Sequence, residues 1–200
     1  MDRVAVFLDY ENVHRTGHQL FSTSGLAIFE TVVSPIHIAE NLVSKRNRPS
    51  ELIAINVFRG KPVPEHQPSS ASANDKQAQL WSADPRVKLT RRDLKYEFDA
   101  QGKWIRSREK GIDVALAVGL VAGAMKNEFD VAIVFSSDTD LLPAVETAYK
   151  DTSAWIEIAC WSSANPLWFR EGLALNPQKF EPYCHFLNET DFEKCRQLLA

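Results

Sequence analysis

The stretch from Val131 to Asp140 constrains the fold of this chain most. Its first five residues, Val131 to Phe135, are apolar and mostly β-branched or aromatic, which predicts a short strand buried on both faces. Polar residues follow at once, and residues 141–145 then have the pattern of a helix start. A buried strand followed by a helix is typical of a parallel sheet covered by helices. Such sheets bind ligands at the carboxyl ends of their strands, where this chain has Asp138 and Asp140.

The rest of the chain alternates between strand and helix patterns. Predicted strands cover residues 3–8, 51–58, 87–92 and 154–160, and predicted helices cover 36–45, 75–81, 112–124, 142–150 and 188–199. Residues 61–74 are rich in Pro, Ser and Ala and predict a flexible loop. Residues 94–98 and 103–105 flank a turn sequence and predict a β-hairpin. This order favours a mainly parallel sheet with helices on both faces.

Composition limits the class of protein. A chain of 200 residues that is 44% hydrophobic suits one domain with one buried core. We expect this domain at residues 1–163, with an extension at 164–200 whose aromatic residues dock on it. No apolar run approaches the roughly 18 residues of a membrane span and no leader precedes the first strand, so we expect a cytoplasmic protein without a membrane partner. The three cysteines are widely spaced, and neither they nor the five histidines form a zinc or disulfide pattern.

The charge of the chain is unevenly distributed. The formal net charge is −3, yet residues 86–110 contain nine Lys or Arg against four acids. Much of this basic segment falls on the predicted hairpin, so we expect it on an exposed flap beside the sheet. Such a strip can contact phosphates and attract a polyanion. A solvated hairpin face gives the same pattern, and charge alone does not decide between the two.

Two further aspartates lie in settings like that of Asp138. Asp9 directly follows the first predicted strand, and Asp113 lies in the first turn of the buried helix. Parallel strands end at one edge of a sheet, so these side chains can meet although they are distant in sequence. Clustered like charges repel, and a divalent cation relieves the repulsion. Carboxylate oxygens without His or Cys favour Mg²⁺ or Mn²⁺ over zinc, and such an ion can activate water and neutralise a phosphate.

Each of these aspartates also has a simpler explanation. Asp138 can cap the helix that follows it, and Asn12 can cap the helix after the first strand. Asp113 can act as a cap as well, or it can pair with Lys110, which is the main alternative to a metal. One cap needs only one such residue, and a second carboxylate adds repulsion. The recurrence of carboxylates therefore favours a metal site.

Three motifs of this chain together resemble a known family. They are VFLDYEN with Asp9 and Asn12, REKGIDVALAVGL with Lys110 and Asp113, and FSSDTDLLPAV with Asp138 and Asp140. In this order, over most of residues 3–160, they look like the NYN domain of bacterial proteins, a branch of the PIN-like nuclease superfamily. The chain departs from the family pattern at two positions. Gly119 stands where many members have an acid, and Ser137 replaces a frequent glycine.

The resemblance implies a fold, an activity and a set of residues. The implied fold is a Rossmann-like α/β/α sandwich, here with a basic hairpin and a docked C-terminal helical tail. The implied activity is Mg²⁺- or Mn²⁺-dependent endonucleolytic cleavage of RNA that leaves a 5′-phosphate, with one ion expected and a second left open. The implied catalytic residues are Asn12, which positions ligand or substrate, and the metal ligands Asp9, Asp113, Asp138 and Asp140.

Two further hypotheses accompany the ribonuclease. The candidate phosphate contacts are Arg59, Arg91, Arg92, Lys95, Arg108 and Lys110. The alternative function is a catalytically silent RNA-binding or protein-interaction module that retains the same fold. RNA is the expected partner in the first case, and the oligomeric state stays open between a monomer and a homodimer.

Overall fold

A computed structural model describes residues 1–22, 25–167 and 182–197 of the chain. Within these ranges the strands are β1 (Asp2–Asp9), β2 (Ser50–Lys61), β3 (Val87–Asp93), β4 (Lys95–Phe98), β5 (Trp104–Arg108), β6 (Val131–Phe135), β7 (Trp155–Trp161) and β8 (Cys184–Leu187). The α-helices are α1 (Tyr10–Phe21), α2 (Pro35–Ser44), α3 (Pro68–Ser82), α4 (Ile112–Met125), α5 (Leu142–Asp151) and α6 (Glu189–Cys195). Single 3₁₀ turns cover Ile28–Thr31 and Thr139–Leu141.

Six strands form one parallel sheet in the order β3-β2-β1-β6-β7-β8. Side chains alternate along β1, so Val6 lies in the core on one face of the sheet and Phe7 in the core on the other. Helices α1, α2, α3 and α6 contribute to the first core, and α4 and α5 contribute to the second. This arrangement confirms the predicted α/β/α fold with a mainly parallel sheet.

The chain reverses its direction of winding at β1, which pairs with β2 on one side and with β6 on the other. Connections therefore leave β1 and β6 toward opposite sides of the sheet. A crevice forms at the carboxyl ends of two such strands, and ligands bind there in open α/β sheets. Asp9 is the last residue of β1, and Ser136 to Asp138 directly follow β6. The fold thus places both segments at one crevice.

The predicted hairpin is present as β4 and β5, an antiparallel pair outside the main sheet. It is inserted between β3 and α4. Gly102 in its turn has φ 78°, a left-handed conformation that glycine adopts at little cost. None of the described helices has the length and apolar character that crossing a bilayer requires.

The C-terminal part of the chain adds a strand as well as the predicted helix. Strand β8 pairs with β7 at the edge of the sheet. Helix α6 begins after Asn188, whose side chain accepts a hydrogen bond from the Asp191 backbone N–H at 3.1 Å. Phe192 of α6 is fully buried in the core that α1 and α2 share. The expected docking of the tail aromatics is wrong for Tyr183 and Phe186, which are exposed, while Trp168, Phe169 and Phe180 lie outside the described residues.

The prediction of a flexible loop at residues 61–74 is wrong from Pro68 onward, because α3 begins there. Proline fits the first helical position, which needs no backbone N–H. The buried positions of α3 are Ala71, Asn74, Ala78 and Trp81. Most of these are small or polar, so the segment lacks the strong apolar stripe by which amphipathic helices are recognised.

Candidate metal centre

Three aspartates from three separate segments converge at the carboxyl ends of the central strands. Asp9 ends β1, Asp138 follows β6, and Asp113 lies in the first turn of α4. One carboxylate oxygen from each lies within 4.8 Å of the other two. Asp9 is 4% exposed, whereas Asp113 and Asp138 are half-buried. The cluster is therefore open to solvent on the side of Asp113 and Asp138, and one cation could contact all three.

Asp140 lies beside this cluster. Its side chain is exposed, and it is outside the group of three that could share an ion. Its backbone N–H donates to Asp138 Oδ1 at 2.9 Å, and its charge contributes to raising the pKa of Asp113. Asp140 thus adds negative potential at the rim of the cluster.

Hydrogen bonds from the loop after β6 orient Asp9 and Asn12. The hydroxyl of Ser136 donates to Asp9 Oδ2 at 2.9 Å and accepts from the Asp138 backbone N–H at 3.0 Å. Asn12 Oδ1 accepts from the backbone N–H of Ser137 at 3.1 Å and from its hydroxyl at 3.0 Å. Ser137, one of the two departures from the resemblance, therefore holds Asn12 through its side chain as well as its backbone.

Capping and clustering occur together at this edge of the sheet. Asp9 is the N-cap of α1, although its bond from the Asn12 backbone N–H is long at 3.5 Å, and Asp138 caps the 3₁₀ turn that follows it. Asp113 is different, because the N-cap of α4 is Gly111. Within the described ranges Asp113 forms no ion pair with Lys110. Capping alone therefore does not explain Asp113.

Burial and mutual repulsion disfavour the ionised carboxylates. Burial raises the pKa of Asp9 from 3.8 to about 6; the charges of Asp113 and Asp138 add to the effect, and the Ser136 bond opposes it. Burial, followed by the charges of Asp138 and Asp140, also raises the pKa of Asp113. No Lys or Arg of the described segments pairs with any of the three aspartates. A divalent cation would supply the missing positive charge.

Glu109 belongs to this region but was not predicted from sequence. Its carboxylate accepts a hydrogen bond from the backbone N–H of Gly60 near the end of β2. Burial, followed by the charge of Glu11, raises the pKa of Glu109 to about 7, and Asp9 and Asp113 contribute further. No spacing or periodicity distinguishes Glu109 from the other acids of its charged segment, so the sequence held no signal for it.

The six predicted phosphate contacts fall into two groups. Three are ion-paired: Arg59 with Glu11, Arg91 with Asp75 and Arg108 with Glu97. The other three, Arg92, Lys95 and Lys110, are exposed and form no ion pair with a described residue. Together with Asp93 they line a cavity of about 420 Å³. The available cations therefore gather beside the start of α4.

Arg59 is enclosed by the protein. Its guanidinium lies 4.5 Å from the ring centroid of Tyr10 and 5.2 Å from that of Trp81, and the residue is 7% exposed. It donates to Glu11 at 3.1 Å and to Gln77 at 2.7 Å, while its buried Nε has no partner. These contacts join α1 and α3 to the end of β2.

Gly119 lies where α4 crosses Phe58 of β2. A Cβ at this position would be 3.3 Å from Phe58 Cζ, closer than most Cβ contacts. An acid at position 119 would therefore begin against the Phe58 ring, and the glycine accommodates that ring.

Comparisons with known proteins bear on the fold and the family of the chain. A crystal structure of a Vibrio parahaemolyticus protein of unknown function has a similar fold, with a TM-score of 0.50 and 14% identity over 80% of this chain and 82% of that chain. At that identity the likeness concerns the fold alone. Curated protein sequences gave no significant match. The NYN domain profile matches residues 3–166, so the chain belongs to the NYN domain family of the PIN-like nuclease superfamily.

Proposed function

We propose that the protein is a Mg²⁺- or Mn²⁺-dependent ribonuclease that hydrolyses internal phosphodiester bonds of RNA. The observation that carries this proposal is the approach of Asp9, Asp113 and Asp138 to within 4.8 Å of one another. These donors fit the ion, because hard oxygen ligands suit Mg²⁺ or Mn²⁺ and the three carboxylates lack a compensating cation from the described chain. Membership of a family with a nuclease-type fold adds support.

The ion and the side chains would contribute different things. Bound Mg²⁺ or Mn²⁺ would supply a Lewis acid and neutralise charge on a phosphate. Ser136 fixes the orientation of Asp9, and Ser137 holds Asn12 by its amide oxygen. The amide nitrogen of Asn12 is then directed away from Ser137 and can donate to a phosphate oxygen of the substrate.

Exposed cations beside the centre would bind the RNA backbone. Lys110 precedes Asp113 by three residues, and the Arg92 guanidinium lies against Gly111, where an added Cβ would be 3.4 Å from its Cζ. Phosphates bound by Arg92, Lys95 and Lys110 would therefore lie next to the start of α4. These contacts steer a polyanion toward an otherwise acidic cluster.

The test is cleavage of an end-labelled RNA with Mn²⁺, Mg²⁺ or EDTA by the wild type, Asp138→Asn and Asp130→Asn. Asparagine keeps the capping oxygen of Asp138 but removes its charge. We expect metal-dependent cleavage that falls by more than about 100-fold in Asp138→Asn, because losing even an outer-shell partner costs about 10- to 100-fold. Asp130 lies just before β6, at the end of that strand away from Asp138, and pairs with Arg3. Asp130→Asn should therefore keep its activity.

A second measurement separates the enzyme from the silent module. Calorimetric titration of the metal-free protein with Mn²⁺ should show one site in the wild type that Asp138→Asn weakens. RNA that binds to the wild type but stays uncut with either metal would favour the module and contradict the proposal.

A further inference from the structure

The hairpin carries a group of aromatic side chains on one face. Tyr96 and Phe98 are two residues apart in β4, so their side chains lie on the same face of the hairpin. Trp104 of β5 lies opposite Phe98. His66, from the loop before α3, packs onto them with its ring centroid 4.4 Å from Tyr96 and 5.1 Å from Phe98. The ring centroid of Trp104 is 6.4 Å from that of Tyr96. We call these four residues the aromatic platform.

The platform is held in place but is not buried. Tyr96 accepts a hydrogen bond from the backbone N–H of Val63 at 3.0 Å and donates to Gln67 at 2.9 Å, which ties β4 to the loop before α3. Phe98 is nevertheless 44% exposed and Trp104 45% exposed, and neither belongs to the two cores. Two large aromatic rings therefore face solvent on a fixed support.

Cations without partners lie on the same hairpin and at its base. On the charged face of the hairpin, Glu97 pairs with Arg106 at 2.6 Å and with Arg108 at 2.5 Å, so one carboxylate offsets part of the charge of these two arginines. Lys95 and Lys103 on the hairpin, and Arg92 and Lys110 at its base, are exposed and pair with no acid in the described ranges. Exposed rings and unpaired cations on one segment are typical of surfaces that bind single-stranded nucleic acid, where bases stack on aromatic side chains and cations follow the phosphates.

We propose that the aromatic platform stacks the unpaired bases of a nucleic-acid single strand whose phosphates occupy the cavity that Arg92, Lys95 and Lys110 line together with Asp93. This inference rests on the proposed function, since it places the same strand beside the aspartates. The base of the hairpin contacts that region directly, because Leu94 and Glu109 both lie against Gly60 and Arg92 lies against Gly111. A duplex cannot use the platform, because its bases are already stacked and paired.

The experiment measures binding without cleavage. Fluorescence anisotropy in EDTA compares a labelled single-stranded RNA with the same strand annealed to its complement, and with a strand of equal length that lacks its bases. We expect the single strand to bind at least about ten-fold more tightly than either, because both lack accessible bases but keep the phosphates. A parallel titration with DNA of the same sequence identifies which strand the platform takes, and binding of either supports stacking.

Matched variants locate the effect. Trp104→Ala and Phe98→Ala should each weaken single-strand binding by about ten-fold, within the range of one lost base stack, and Trp104→Tyr should restore most of it. Phe186, an aromatic residue of β8 that is 55% exposed, supplies the control, and Phe186→Ala should bind as the wild type does. Circular dichroism confirms that each variant is folded.

Several outcomes would overturn the inference. One is unchanged binding by both alanine variants. Another is a change of oligomeric state in Trp104→Ala without nucleic acid, measured by light scattering, because it would assign the platform to a protein partner.

Cleavage distinguishes the two proposals. If the wild type cuts RNA while Trp104→Ala binds it normally, the proposed base stacking is wrong and the ribonuclease proposal is supported. If the platform binds bases but neither metal supports cleavage, the ribonuclease proposal is wrong and the proposed base stacking is supported.

Discussion

Ionisation of the aspartate cluster should destabilise the metal-free protein, and Asp9→Asn measures this effect. The pKa of Asp9 is about 6 in the folded protein against an ordinary value of 3.8. Between these values the folded protein keeps a proton that the unfolded chain has lost, so the free energy of unfolding falls as the pH rises. The shift corresponds to about 3 kcal/mol in total, of which about 1.4 kcal/mol falls between pH 5 and pH 8.

The assay is urea denaturation in EDTA of the wild type and Asp9→Asn at pH 5 and pH 8. Asparagine keeps the shape of the side chain and an oxygen for the Ser136 hydroxyl, but it cannot ionise. The free energy of unfolding of the variant, relative to the wild type, should therefore increase by about 1.4 kcal/mol from pH 5 to pH 8. Asp9 is 4% exposed, so solvent screens this effect little.

Asp191→Asn is the matched control, because Asp191 is equally buried but has a partner. It pairs with Lys45 at 3.0 Å and accepts a hydrogen bond from the Asn188 backbone N–H at 2.9 Å. Burial alone would raise the pKa of Asp191, but these bonds lower it on balance, so its stabilisation is present above the ordinary pKa and is lost only at lower pH. Asp191→Asn should therefore be less stable than the wild type by a constant amount between pH 5 and pH 8.

A difference in the free energy of unfolding between Asp9→Asn and the wild type that stays the same at pH 5 and pH 8 would refute the raised pKa of Asp9. Mn²⁺ provides an independent check at pH 8. An ion at 100 times its dissociation constant raises the free energy of unfolding by about 2.7 kcal/mol, and this gain should be largely absent in Asp9→Asn.

Three further substitutions probe the second layer of the site and the packing. Ser136→Ala removes the hydroxyl that holds Asp9, and calorimetry should show Mn²⁺ binding weakened by about 10- to 100-fold; unchanged affinity would contradict the positioning role. Gly17→Ala places a Cβ 2.7 Å from Phe192 Cε2, so urea denaturation should show a loss of about 1 to 2 kcal/mol, and a gain would contradict this packing. Arg59→Met should lower the free energy of unfolding by about 2 to 3 kcal/mol without changing the salt dependence of RNA binding, whereas a smaller salt slope would reveal a phosphate contact.

Sequence predicted the central strands well because they are short runs buried on both faces, where the apolar pattern depends little on the neighbours. Other elements are determined by tertiary contacts. Helix α3 buries Asn74, whose side chain donates to the Gly60 carbonyl at 3.1 Å, and a polar residue at a buried position weakens the apolar pattern. Strand β8 is four residues long and includes the buried polar residue His185, so its strand character becomes visible only when it pairs with β7.

The same distinction applies to the site. Asp9 and Asp138 could be predicted because each lies at the carboxyl end of a strand, and the topology brings strand ends together. The sequence also shows a cation at the end of β2, but it does not show that Tyr10 and Trp81 enclose Arg59. Nor does it reveal the burial of Glu109, which depends on the hairpin folding back onto Gly60.

The position of the hairpin in the chain links the proposed binding of a nucleic-acid single strand to the candidate metal centre. The connection from β3 must cross from the edge strand to α4, whose first turn carries Asp113. Glu109 accepts the hydrogen bond of Gly60 four residues before Asp113, so the end of the hairpin is anchored to β2 just where α4 begins. Lys95, Lys103 and Lys110 lie on this same anchored segment, as do three residues of the aromatic platform, Tyr96, Phe98 and Trp104. A nucleic-acid single strand bound there would therefore hold its phosphates in a fixed relation to Asp113. Loss of the hydrogen bond between Glu109 and Gly60 would disturb both nucleic-acid binding and the aspartate cluster.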